Sequence, residues 1–265
     1  MSYPVHRKFI ENAVEVIRNK NDALGLAAGG SWITNEIDEY SDLDLIIVTA
    51  ERLSDSKDKM LNCALSLGKL LSAFTGEHVG ESRLLICLYD NPLLHVDIKF
   101  LIPAELYDRV EDPVILWEKE QNLSDIINST KSDWPGPDYQ WIEDRFWTWV
   151  HYTVLKLGRG EIFEALEFLS FIRQNVIAPL IQVKNGNLPR GFRKIEFNCS
   201  PDDVKRLSAT LPVYKQDEIF DSLYNIIIIY KDLREAIFPG SVLINNEAEQ
   251  RVIEYYNEVK MARKK

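Results

Sequence analysis

Cysteine is scarce in this chain: Cys63, Cys87 and Cys199 are odd in number and far apart, with no Cys-x-x-Cys pair. That spacing excludes a disulfide framework and a cysteine-rich zinc site, and leaves three buried thiols as the expectation. Long apolar runs are missing too. No stretch reaches the ~18 residues that a membrane helix needs, and the opening Met1-Ser2-Tyr3-Pro4-Val5-His6 lacks the apolar core of a secretion signal. The expectation is a soluble, cytoplasmic protein with no membrane partner. Basic residues are thin in the first half. Residues 1–137 hold 13 Lys and Arg against 23 Asp and Glu, while residues 138–265 hold 18 of each, so the formal charge of −10 lies wholly in the first half. A nucleic-acid partner would favour a basic face, so none is expected.

What is present is an ordered pattern of glycine, serine and acids. The stretch Leu24 to Val48 reads as an apolar run ending in Gly29-Gly30-Ser31, then an irregular passage, then a second apolar run entered through Asp42-Leu43-Asp44. This is strand, tight turn, short loop, strand. Residues two apart on a strand point the same way, so Asp42 and Asp44 present two carboxylates on one face and Leu43 and Leu45 face the other. Two like charges held that close need a cation, and hard oxygen ligands suit Mg²⁺. His95 to Leu101 alternates in the same manner and puts Asp97 and Lys99 on one face of a further strand. Glycines in the turn let the backbone approach a phosphate, and Ser31 adds a hydroxyl. Together these residues form a constellation for binding a nucleoside triphosphate with its metal.

On Gly30-Ser31, Asp42, Asp44 and Asp97, the stretch resembles the nucleotidyltransferase superfamily, the polymerase-β-like group. Its signature is a Gly-Ser turn, an Asp-x-Asp or Asp-x-Glu flanked by apolar residues, and a later acid on a strand. The chain departs from the antibiotic-modifying members at Trp32-Ile33-Thr34-Asn35-Glu36, where they carry a basic residue and a second glycine. The resemblance implies a Mg²⁺-dependent transfer of a nucleoside monophosphate, AMP from ATP, to a hydroxyl of a small molecule such as an aminoglycoside or lincosamide, releasing pyrophosphate. Asp42, Asp44 and Asp97 would be the catalytic and metal-binding acids, with Asp97 either a ligand to a second metal or the acceptor of the hydroxyl proton. Gly29, Gly30 and Ser31 would grip the phosphates. A protein-adenylylating regulator and a catalytically silent nucleotide-binding module are the alternatives.

In chain order, Val5 to Arg18 places Phe9, Ala13, Val14 and Ile17 at helical spacing. Asp55 to Phe74 carries a second apolar stripe, from Met60 to Phe74, which predicts one helix ended by Gly76. Arg83 to Tyr89 and Leu93 to Leu101 read as an antiparallel hairpin. Asp97 is then expected beside the Asp-x-Asp strand in a mixed sheet backed by helices. Residues 1–110 are expected to form this α/β (α+β) catalytic domain. Residues 111–137 are read as a linker region ending in the Asp133-Trp134-Pro135-Gly136-Pro137 cluster.

Residues 138–265 are expected to be an all-α domain with acceptor and phosphate contacts. Its predicted helices run over Asp138–Leu157, Glu161–Val183, a start at Ser200-Pro201, Gln216–Phe238, and a last one from Glu247 ending in Arg263-Lys264-Lys265. This half resembles the helical domains of bacterial aminoglycoside and lincosamide nucleotidyltransferases, in Phe146-Trp147, Lys156-Leu157-Gly158-Arg159-Gly160-Glu161, Ala165-Leu166 and Phe171-Ile172-Arg173. That resemblance makes Lys156 and Arg159 candidates for phosphate contacts, a role also open to Arg83 and Lys99 on the strands. Lys156 and Arg159 equally suit a helix C-terminus. The spacing of Trp141, Phe146, Trp147, Trp149 and Tyr152 favours a core or interface over a base-stacking platform. His95 and His151 read as satisfied structural residues, and His6 and His78 carry no signal.

Overall fold

The structure is a computed structural model and describes residues 4–262. The chain divides into two compact units, Met1–Pro135 and Gly136–Lys265. The first is an α/β unit and the second is all helix.

The first unit begins with helix α1 (Pro4–Arg18), whose buried residues His6, Ile10, Ala13 and Ile17 recur at helical spacing. Strand β1 (Ala23–Ala28) leads into the Gly-Gly-Ser turn, and β2 (Leu43–Thr49) begins directly after Asp42. Helix α2 (Lys57–Leu65) is capped by the Ser56 side chain, which accepts from the Lys59 N–H. There the structure departs from the expected single helix: β3 (Lys69–Gly76) is a strand paired antiparallel with β4 (Glu81–Asp90). Leu67, Leu70, Leu71 and Phe74 match a helical stripe, but the partner strand decides, with Leu70 and Ala73 packing against the core below the sheet. Gly76 is needed for a different reason from the one its position suggested. A Cβ there would stand 2.8 Å from the Glu81 carbonyl oxygen, so it permits close strand approach instead of ending a helix.

Strand β5 (Leu94–Leu101) completes the predicted hairpin with β4. Helix α3 (Pro103–Leu106) follows, with Pro103 in the first turn. Within the stretch read as a linker, β6 (Val114–Glu118) pairs antiparallel with β1, and α4 (Ser124–Ser129) follows it. The sheet order is β3-β4-β5-β2-β1-β6, and β2 and β5 are parallel while the other neighbours are antiparallel. One face is sealed by α1 and α2 over Leu43, Leu45, Ile47, Val96, Ile98 and Phe100. The other is covered only in part: Ala27, Val48 and Leu101 pack with Leu106, Leu123 and Ile126 around α3 and α4.

The second unit holds α5 (Tyr139–Arg159), α6 (Ile162–Ile172), α7 (Ala178–Lys184), α8 (Ile195–Asn198), α9 (Pro201–Ser208), α10 (Gln216–Ile237) and α11 (Asn246–Ala262). The predicted Glu161–Val183 helix is interrupted by a wide π-type turn over Arg173–Ile177, just before Pro179, which cannot donate a backbone bond. Ser200 caps α9 as its sequence suggests, its hydroxyl accepting from the Asp203 N–H. Arg263-Lys264-Lys265, expected to end the last helix, lies outside the described residues. Phe146 stacks on Tyr230 at 3.5 Å between ring centroids, and Phe146 and Trp147 are core residues. The buried Glu143 carboxylate accepts from the Tyr230 hydroxyl, the Asn245 N–H and Arg234, tying α10 and the approach to α11 back onto α5.

Candidate active site

The acids gather on the face of the sheet that α3 and α4 cover in part. Asp44 on β2 stands directly opposite Asp97 on β5 in the parallel register, so their side chains emerge on the same face about 4.8 Å apart along the sheet. Both are half-buried, whereas Leu43, Leu45, Val96 and Ile98 beside them are buried on the opposite face. Asp42 immediately precedes β2, where the expectation had placed it on the strand. Its charge still reaches Asp97. Burial pushes the Asp97 carboxyl above the usual carboxylate range, His95 opposes the shift, and the charge of Asp42 adds to it.

The Gly-Gly-Ser turn is anchored to the same place, because the Gly29 N–H donates to the Asp44 carbonyl oxygen at 2.8 Å. Gly30 to Trp32 then form one tight helical turn, with the N–H groups of Trp32 and Ile33 donating back to the carbonyls of Gly29 and Gly30. The N–H groups of Gly30 and Ser31 precede the first internal bond of that turn, and such leading donors are the ones a helical start leaves for an outside acceptor. Gly30 has φ of +57°, the left-handed region that favours glycine. In the departing loop, Glu36 closes back through its N–H onto the Ser31 carbonyl, and Trp32 packs against the core.

His95, read from the sequence as a satisfied structural residue, stands at the acids. Its Nε2 lies 2.8 Å from Asp97 Oδ1, and its side chain is 49% exposed, so it belongs to the acid cluster and not to the core. Strand alternation carried the signal, since His95 is two residues before Asp97. With Tyr40, Asp42 and Leu93, it lines a cavity of about 450 Å³. His6, which carries no sequence signal, lines that cavity too and meets the Ser41 carbonyl through Nε2 at 2.7 Å.

The strand cations are already engaged. Lys99 Nζ lies 2.8 Å from Glu81, and Arg83 binds Glu81 at 2.7 Å and Glu105 at 3.5 Å. Hydrogen bonds from Arg83, helped by Lys99 and opposed by partial burial, hold the Glu81 carboxyl at about 2. In the second unit, Lys156 and Arg159 occupy the last turn of α5. Lys156 pairs with Glu161 at 2.9 Å and Glu164 at 2.8 Å, and Arg159 with Glu161 at 3.8 Å.

Carboxylate oxygens are the donors a hard divalent ion takes, and Asp44 and Asp97 stand opposite each other on neighbouring strands with Asp42 just before β2. The donor chemistry therefore fits Mg²⁺. Among the described residues, no three His, Cys, Asp or Glu side chains are already gathered as a ligand set. Among the described residues, also, no helix is long and apolar enough to cross a membrane.

No model of a protein family matches the sequence, and a search of curated proteins returns no match. Comparison with solved structures does return similar chains. An aminoglycoside 6-adenyltransferase from Bacillus subtilis aligns over 95% of this chain and 96% of its own, at 15% identity and a TM-score of 0.41. A nucleotidyltransferase-like protein from Exiguobacterium sibiricum aligns over 86% and 73%, at 13% identity and a TM-score of 0.35. A spectinomycin adenyltransferase from Enterococcus faecialis, solved with ATP and spectinomycin, aligns over 96% and 99%, at 12% identity and a TM-score of 0.34.

Proposed function

We propose that this protein is a nucleotidyltransferase that moves AMP from ATP to a hydroxyl of a small molecule and releases pyrophosphate. The observation that carries the reading is the register of β2 and β5: it sets Asp44 opposite Asp97, with Asp42 within electrostatic reach and the Gly29 N–H bonded to Asp44. Transfer of this kind asks a protein mainly for positioning and for neutralisation of charge. The acceptor oxygen forms a bond to the α-phosphorus, the bond from that phosphorus to the α–β bridging oxygen breaks, and its electron pair leaves with pyrophosphate.

Asp42, Asp44 and Asp97 are the residues that would hold Mg²⁺, which when bound supplies charge neutralisation and orientation of the triphosphate. Gly30 and Ser31 offer backbone donors and the Ser31 hydroxyl to the departing phosphates, while Gly29 anchors the turn through its N–H to the Asp44 carbonyl. Asp97, its carboxyl raised by burial, is the acid suited to take the hydroxyl proton if it is not itself a ligand. Lys156 and Arg159 remain the proposed cations of the helical unit, on the condition that Glu161 and Glu164 give them up.

The test has two arms. Calorimetric titration with ATP, in Mg²⁺ and in EDTA, should show metal-dependent binding by wild type that Asp42→Asn weakens by at least about tenfold. Pyrophosphate release over a panel of hydroxylated acceptors should be lost in the same variant. Absence of both metal-dependent binding and turnover would reject the reading, and tight binding with no product would favour a silent nucleotide-binding module.

A further inference from the structure

The sheet carries a second feature in line with the acids. Phe74 on β3 pairs with Ile86 on β4, Ile86 pairs with Asp97 on β5, and Asp97 pairs with Asp44 on β2. Directly paired residues share a face, so these four side chains form one row across the sheet, with Gly29 bonded at the Asp44 end. One step along, Leu88 stands opposite His95 on that same face. Phe74 and Leu88 are 47% and 37% exposed, whereas Leu85, Cys87 and Tyr89 between and beside them are buried on the sealed face. The row therefore ends in an apolar shelf that core packing does not explain. Arg83 on β4 and Lys99 on β5 are held by Glu81 and Glu105.

Direction along the row identifies the occupant. In an in-line displacement the attacking and leaving oxygens lie on opposite sides of the phosphorus. With the departing pyrophosphate at the Gly29–Ser31 turn, beyond Asp44, the attacking hydroxyl enters from the Asp97 side, where Ile86, Leu88 and Phe74 lie. Resting on the nucleotidyl-transfer reading, we propose that these three residues form the acceptor subsite. It selects a hydroxyl compound with an apolar or aromatic portion about 10 Å from the reacting oxygen, two strand spacings away. The acceptor's hydrophilic end meets Asp97 and its apolar end covers Phe74.

The probes are hexyl β-glucoside and methyl β-glucoside, which share the hydroxyls and differ in apolar tail. Wild type should bind the hexyl compound at least about tenfold more tightly, as the burial of a few methylenes requires, with ligand-observed NMR placing the saturation transfer on the tail. Phe74→Ala should abolish that preference, Phe74→Leu should restore most of it, and Leu88→Asp should remove it by a separate route. Thermal unfolding of each variant checks that the fold persists. Affinity for ATP with Mg²⁺, measured in parallel, should be the same in wild type and Phe74→Ala. Equal binding of the two glucosides by wild type, or a preference that survives both Phe74→Ala and Leu88→Asp, overturns the subsite. Metal-dependent ATP binding in that same experiment leaves the nucleotidyl-transfer reading standing, while tail-selective binding without any ATP binding removes that reading and keeps the shelf.

Discussion

On β2, Leu43, Leu45 and Ile47 are buried beneath α1 and α2, while Asp44 and Ile46, one residue along, stand half-buried on the opposite face. On β5, Val96, Ile98 and Phe100 face the same way as the first set, and His95, Asp97 and Lys99 the same way as the second. The comparison teaches how one short strand serves two ends. Its odd-numbered β2 face supplies apolar burial, worth about 25 cal/mol for each Å² removed from water, and holds the even-numbered face in register. The acid cluster can then carry mutual repulsion and a raised Asp97, because the stability of the strands comes from the other side.

The largest effect should separate the faces outright. On the proposed nucleotidyl-transfer reading, Asp44→Asn is expected to lower turnover by about 10²- to 10³-fold or more, by removing charge that would align with the reacting phosphate, while its melting temperature stays near that of wild type. Steady-state kinetics beside calorimetric melting reads both, and a large loss of stability would show that the two faces are not independent. The converse is Ile98→Ala, one residue from Asp97 but fully buried. It should cost about 2–5 kcal/mol in denaturant unfolding, with activity per folded molecule largely kept.

A smaller effect tests the helical unit. Ser200→Ala removes the cap of α9 and should cost about 0.5–2 kcal/mol, visible as faster amide exchange at the start of that helix. The smallest concerns the charges flanking the acids. Glu81 is held at about 2 in the folded chain, below the ~4.3 of an unperturbed Glu. A depressed carboxyl contributes stability that is present above the unfolded value and lost as pH falls towards the folded one. Wild type should therefore lose stability between about pH 4.5 and 2, and Glu81→Gln should show a shallower slope across that window. Superimposable acid titrations would mean that the Arg83 and Lys99 pairs are too exposed to matter.

Much of this was legible from residue order. Alternation along 43–49 and 94–101 predicts which side chains share a face, and the helical period of 139–159 and 216–237 predicts the long helices within a residue or two. Other features were not legible, for identifiable reasons. Leu67, Leu70, Leu71 and Phe74 satisfy both a helical stripe and a strand flanked by partners, and only pairing with β4 decides between them. Val114–Glu118 is short and surrounded by breakers, so its place beside β1 has no local signal. His95 reads as a satisfied structural residue until its ring is found half-exposed with the Asp97 carboxylate 2.8 Å away. Arg83 and Lys99 look like available cations until Glu81, on the same hairpin, is seen to occupy both.

The sequence by itself determined the kinds of element in most places, the identity of the acids and the side of each strand on which they lie, because backbone geometry converts spacing along the chain directly into direction. Only the tertiary structure decided that Asp97 stands opposite Asp44 and Phe74 in line with both. Strand order and register are settled by which surfaces can be buried together, and that is a property of the whole sheet, not of any one segment.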